Sequence, residues 1–156
     1  TRAEFCAAMV NALGLSSLDT VRQGFPFADV KADNPNLKQM QIAYQCGIID
    51  GTTATSFSPD SLITRQDAAT MLMRAFNLRN SNLVPADTTG LLGGFTDRVS
   101  IADYALEALE QSFALGFFRG TSETTLVPRN NITNEQTAKI LWELKLKAEK
   151  PGLQWG

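Results

Sequence analysis

The sequence predicts a mainly α-helical protein built from tandem helix-turn-helix repeats joined by short loops or strands. Three observations carry that expectation. A block of residues recurs at a fixed spacing, as in repeat proteins. Each copy closes on a threonine-led segment with helix-start chemistry. The apolar residues that follow recur at helical rather than strand spacing.

The recurrence is read directly along the chain. Gly47-Ile48-Ile49-Asp50-Gly51 is answered 69 residues later by Gly116-Phe117-Phe118-Arg119-Gly120. The same offset relates Phe57 to Leu126, Pro59 to Pro128 and Thr64 to Thr133. Upstream, Phe27-Ala28-Asp29 corresponds to Phe95-Thr96-Asp97, with one residue of slippage. A partial third copy is visible because Thr1-Arg2-Ala3-Glu4-Phe5 matches Thr64-Arg65-Gln66-Asp67-Ala68 and Thr133-Asn134-Glu135-Gln136-Thr137. Residues 1–156 therefore form one module: a closing helix of repeat one (1–20), repeat two (21–80), repeat three (81–150) and a tail (151–156). The boundaries fall near 16–23 and 77–94, both rich in the Ser, Asn, Asp, Thr and Gly of linkers.

Each repeat holds two helices. Thr1, Thr64 and Thr133 are N-caps, and Glu4, Asp67 and Gln136 three residues later complete capping boxes, with Asp67 a shorter version. The closing helices present Phe5, Ala8, Met9, Ala12 and Leu13, then Ala68, Met71, Leu72, Ala75 and Phe76. In the last copy Ile140, Leu141 and Leu144 keep the stripe, while Thr137 and Lys145 fray it. The opening helices, roughly Leu37–Cys46 and Tyr104–Leu115, stop at glycines suited to a left-handed position. One unit cannot cover its own stripe, so the three capped helices are expected to form a central bundle with the others around it. The incomplete first repeat would leave an apolar flank open, which predicts association or reduced stability.

Composition limits the function classes. The chain is 44% hydrophobic and 19% charged with a formal net charge of −2. It lacks the basic stripe that a nucleic-acid binder needs. No apolar run approaches the roughly 18–20 residues that cross a bilayer, so membrane insertion is not expected. The chain opens on Thr1 and reads as a piece of a longer protein. Cys6 and Cys46 have no metal-ligand spacing; they either pair in an oxidising compartment or stay as two buried thiols. Histidine is absent, which removes the commonest general base and zinc ligand. Acid pairs such as Asp97 with Asp103 occur, but among sixteen acids none stands out as a glycosidase pair. No catalytic residue, cofactor or metal site is expected, and the chain is read as non-catalytic.

Phe-x-Asp-Val, then Gly-Ile-Ile-x-Gly, Phe-x-Pro and Ile-Thr-Arg with a helix behind it resembles the S-layer-homology (SLH) repeat. Residues 27–76 look like a full copy, 95–144 like a more diverged one, and 1–15 like the closing helix of another. The resemblance implies a pseudo-threefold helical bundle or spindle whose grooves bind secondary cell-wall polysaccharide, often through a pyruvylated sugar. That would hold an S-layer protein or surface enzyme on the outside of a bacterial cell. It implies Arg2 and Arg65 as binding arginines, from the family's Thr-Arg-Ala-Glu motif. It implies Asp29 and Asp97 from the Phe-x-Asp element, and Tyr104 as the aromatic ahead of an opening helix. Pro35 takes that aromatic's place one repeat earlier, and Asn134 replaces the arginine in the last copy.

The arginines also have a physical basis. Each follows an N-cap, where free backbone N–H groups and the helix dipole favour an anion. A guanidinium there can grip a carboxylate in two-pronged fashion, while Asp29 or Thr64 hydrogen-bonds sugar hydroxyls. The plainer alternative is an arginine that is solvated or paired with Asp60 or Glu4. Gly51 and Gly120 either let a ligand approach the backbone or occupy a turn that needs positive φ. Trp155 either covers the bundle or leads to a neighbouring domain. The alternative to wall binding is a structural or assembly module that associates with other S-layer subunits, and a third expectation is an anchor cut from a surface hydrolase.

Overall fold

The computed structural model describes residues 1–16 and 21–149. Trp155, the tail and part of the first linker lie outside the described residues. Five α-helices form among them: α1 (Arg2–Ala12), α2 (Leu37–Gln45), α3 (Arg65–Asn80), α4 (Asp103–Ala114) and α5 (Asn134–Glu149). The mainly helical expectation holds. No extended strand forms among the described residues, only an isolated antiparallel bridge between Thr64 and Asn131.

The capping chemistry is largely as expected. Thr1 and Thr133 sit in reciprocal boxes; at the latter, Gln136 N donates to Thr133 Oγ1 at 3.1 Å and Thr133 N donates to Gln136 Oε1 at 3.1 Å. Thr64 caps α3 through Asp67 N at 3.2 Å, but the box is only half made. The Asp67 carboxylate is too short to return to Thr64 and accepts the Tyr104 hydroxyl at 2.5 Å instead. α3 also runs four residues beyond Phe76, so the expected linker begins with a last helical turn.

The chain forms two compact units, Thr1–Ile63 and Thr64–Gly156. Each joins the closing helix of one sequence repeat to the opening helix of the next. In the first, α1 packs on α2, and the buried residues include Phe5, Cys6, Met9, Met40, Ile48, Ile49 and Phe57. In the second, α3 packs chiefly on α4 and also touches α5. All five residues of its expected stripe, Ala68, Met71, Leu72, Ala75 and Phe76, are buried. On α1 the buried surface is wider than expected and turned towards Cys6, Ala7 and Val10, leaving Ala8, Ala12 and Leu13 half-buried. α5 buries Ile140 and Leu144 but exposes Trp142.

The two cysteines are buried free thiols, which settles their alternatives in favour of the second. Burial pushes the Cys6 thiol up to about 12, against the opposing charge of Arg2. Ellman's reagent should therefore find no rapidly reacting thiol in the folded chain and two in denaturant; a fast native reaction would contradict the burial.

The glycine motif divides into two roles. Gly47 and Gly116, both at φ +77°, end α2 and α4 in the expected left-handed position. Gly51 and Gly120 do not have positive φ, contrary to the turn expectation. They are needed for close approach by the chain itself. A β-carbon on Gly51 would lie 2.1 Å from the Thr53 carbonyl oxygen and 2.6 Å from the Phe27 ring; one on Gly120 would lie 2.4 Å from the Ser122 carbonyl oxygen and 2.7 Å from the Phe95 ring. Gly116→Ala should cost about 1–2 kcal/mol and Gly116→Asn less, because only the left-handed backbone resists the side chain. Gly120→Ala should cost about 3 kcal/mol with no relief from asparagine. Urea denaturation of the four variants separates the two causes.

Candidate functional site

The recurring motifs converge on one residue per unit. In the first unit, Phe57 N donates to Asp29 Oδ1 at 2.9 Å and the neighbouring Ser58 N donates to Oδ2 at 2.7 Å. From the other side, Arg2 Nε donates to the Phe57 carbonyl at 2.9 Å. The second unit repeats the pattern: Leu126 N donates to Asp97 at 2.9 Å, Val127 N at 2.7 Å, and Arg65 Nε donates to the Leu126 carbonyl at 2.9 Å. Arg65 Nη2 adds a bond of 2.7 Å to the Arg119 carbonyl. The residue after each anchor has a left-handed backbone, Ser58 at φ 57° and Val127 at φ 46°. That is strained for a β-branched side chain, and the aspartate holds it there.

These contacts correct the expectation of free amides at the helix starts. Arg2 N and Ala3 N donate to the carbonyls of Ser61 and Pro59; Arg65 N and Gln66 N donate to those of Asn130 and Pro128. The loop carrying Phe-x-Pro folds back so that its own carbonyls occupy the amides where an anion was expected.

Both arginines are 7% exposed. Burial lowers the pKa of Arg65, with the Asp97 charge opposing it, yet a guanidinium remains protonated at any physiological pH. Two nitrogens of Arg65 are committed to carbonyls, while Nη1 makes no hydrogen bond among the described residues. Arg65 lines a cavity of about 170 Å³ together with residues 116–121 and Gln136, Lys139 and Ile140 of α5. Three of its lining residues are cationic, Arg65, Arg119 and Lys139, and none is acidic.

The sequence-predicted residues thus fall into groups. Arg2 and Asp29 meet at Phe57, and Arg65 and Asp97 meet at Leu126. Thr64 caps α3 beside Arg65. Gly51 lies beneath its own turn. Tyr104 is 60% exposed and binds Asp67, away from the lining of the Arg65 cavity. Sequence reasoning missed Arg119, Lys139 and Gln136 as lining residues. For the two on α5 the signal was the i, i+3 spacing that places both on one face.

The arrangement is that of a helical repeat module with a small cationic cavity beside a buried arginine. The chain belongs to the S-layer homology domain family, whose model matches residues 26–69 and 94–138. That class is, in general, a non-catalytic cell-wall anchoring module of S-layer proteins and surface enzymes, and its members are associated with the cell surface. The chain is 32% identical over 148 residues to an endoglucanase of Bacillus sp. (strain KSM-635), covering 94% of this chain and 15% of the relative. It is 32% identical over 143 residues to the surface-layer 125 kDa protein of Lysinibacillus sphaericus, covering 90% of this chain and 11% of the relative. Among solved structures it is similar to an undecaheme cytochrome from the S-layer of Carboxydothermus ferrireducens. That likeness has a TM-score of 0.51 at 17% identity, covering 100% of this chain and 18% of the cytochrome, and it bears on the fold alone. The chain thus spans less than a fifth of these proteins.

The Asp97 anchor is testable through its charge. Burial alone would raise this carboxyl, but the N–H groups of Leu126 and Val127 and the charge of Arg65 outweigh it and hold the pKa below the ordinary value. A depressed pKa stabilises the fold above the unfolded value of about 3.9, and that contribution is lost as pH falls through the folded value. Asp97→Asn should cost about 1–3 kcal/mol near neutrality. In urea denaturation the gap to the parent should narrow below about pH 4. A gap of constant size would show that shape, not charge, matters.

Proposed function

We propose that the module anchors its parent protein to the bacterial cell surface by binding an acidic secondary cell-wall polysaccharide, with the Arg65 cavity gripping the acid group. The single observation that carries this is the cationic, carboxylate-free lining of that cavity around a partly desolvated guanidinium with Nη1 uncommitted. A desolvated cation gains most from a charged partner that replaces its lost water. The carboxylate of a pyruvyl ketal is of suitable size and charge. Arg65 is the principal contact, with Lys139 and Arg119 beside it, and Arg2 is its counterpart in the first unit. Asp29, Asp97, Thr64 and Gly51 position these groups by shaping the loops and the helix start, and Tyr104 offers an aromatic surface. In this view residues 1–156 act as one module with repeats at 21–80 and 81–150, and the chain itself performs no catalysis.

Arg65 is a poor probe of its own role, because its substitution also removes two bonds to the next loop. Lys139 and Arg119 are exposed and carry no such burden. The whole chain should co-sediment with cell-wall sacculi and lose that binding when their secondary polysaccharide is chemically stripped. The Arg119→Ala/Lys139→Ala variant should bind about 10–100-fold more weakly, the value of one or two charge-assisted hydrogen bonds, with an unchanged urea midpoint. Binding that survives stripping would sink the polysaccharide assignment. Absence of binding to either preparation, with self-association in sedimentation, would assign the module to assembly with other surface-layer subunits.

A further inference from the structure

Glu110 on α4 is 5% exposed, and a single oxygen of its carboxylate serves two places in the segment that leads into α4. Gly90 N donates to Oε1 at 2.9 Å, and Arg98 Nη2 lies 3.9 Å from the same atom. Arg98 Nε is shielded from solvent and has no hydrogen-bond partner among the described residues. Glu110 is therefore the anion that compensates this guanidinium. Residues 90–98 form a loop whose two ends meet at one buried carboxylate.

Little else fastens the first part of this loop. Its own backbone bonds are short-range turns: Gly93 N donates to the Gly90 carbonyl and Phe95 N to that of Leu92. Among the described residues, the bond to Glu110 is the hydrogen bond that ties residues 88–95 to another element. Packing adds the wholly buried Leu92 and the Phe95 ring, edge-on to Phe113 at 5.6 Å. A segment held by so few long-range ties opens as a unit, at a lower free energy than the whole fold. The latch is no part of the shared repeat scaffold. The fixed offset of 69 puts Gln41 at this place in the preceding repeat, and its side chain makes no bond among the described residues.

The far end of the loop supports the Arg65 cavity. The Phe95 ring lies against Gly120, where a β-carbon would come within 2.7 Å of it, and Gly120 lines the cavity. Asp97 accepts from Leu126 N and Val127 N, and the Leu126 carbonyl accepts from Arg65. We propose that Glu110 is the latch of residues 90–98, and that opening of this loop withdraws Phe95 and Asp97 together and so loosens the Arg65 cavity. Glu110 is a positioning residue, acting through the loop on a cavity that it does not line. That the cavity binds a ligand rests on the function proposed above; the coupling of Glu110 to its support does not.

Amide hydrogen exchange of the full chain, followed by NMR in low urea, tests the coupling. In the parent, Gly93, Phe95, Leu126 and Val127 should share one opening free energy. They should exchange faster than Leu72 of α3 and with a weaker urea dependence, the mark of a partial opening. Glu110→Ala should speed all four by a common factor of about 10–100, as expected for the loss of a hydrogen bond to a charged group. Glu110→Gln keeps an acceptor for Gly90 N–H and should speed the same four by a smaller common factor. Three results overturn the proposal: unchanged rates at Gly93 and Phe95 in Glu110→Ala, faster rates there with Leu126 and Val127 unmoved, or four amides that exchange together with Leu72 in the parent. Exchange is measured on the free chain, so the latch can stand without sacculus binding, and sacculus binding without the latch.

Discussion

A single residue in each unit is held from two directions, and most of the local structure follows from that. Leu126 gives its N–H to Asp97 and its carbonyl to Arg65; Phe57 does the same with Asp29 and Arg2. The aspartate reaches it from the start of the same repeat, about thirty residues upstream, and the arginine from the closing helix of the repeat before. Without the aspartate, the left-handed Val127 would have little to hold it against its own side-chain sterics. Without the arginine, the loop would lose its tie to the helix it covers. Three motifs that are far apart in sequence are thereby one piece of hardware.

This construction explains why the helix start is not the anion site that the sequence suggested. The first two amides of α1 and α3 are already answered by loop carbonyls, so the helix dipole is spent on holding the fold. Positive potential is delivered instead by side chains that converge beside the loop from three places: Arg65 at the start of α3, Arg119 in the glycine motif and Lys139 on α5. The carbonyls fix the Arg65 guanidinium, and a fixed, partly desolvated cation loses little entropy on binding.

The helices and their limits were legible because each signal is local. Capping threonines, glycine stops and the stripe on α3 lie within a turn or two of what they determine, and α2 and α4 match their expected bounds to within about one residue. Long-range use of polar atoms was not legible. Nothing in the spacing of Phe-x-Asp shows that the carboxylate closes a turn about thirty residues later, nor that Asp67 gives up its capping bond to a tyrosine on another helix. Gly51 and Gly120 illustrate the same limit. A glycine that avoids a collision and one that adopts positive φ are identical in sequence, and only the positions of the Thr53 and Ser122 carbonyls and the Phe27 and Phe95 rings distinguish them. The cationic cavity was half visible. Arg65 could be named from its motif, whereas Lys139 acquires meaning only when α5 is placed against residues 116–121.

The replacement of the third motif arginine by Asn134 reads differently in this light. On α1 and α3 the arginine is first a structural clamp, because each finds a following loop with a carbonyl to hold. Asn134 is exposed and makes no such bond among the described residues. α5 instead contributes from one turn further along, where Gln136, Lys139 and Ile140 form a wall of the Arg65 cavity. Among the described residues α5 thus adds a cation to the cavity lined by Arg65. A loss of charge at the motif position is compatible with the proposed role of the cavity, which would require converging positive charge and not a third copy of the motif.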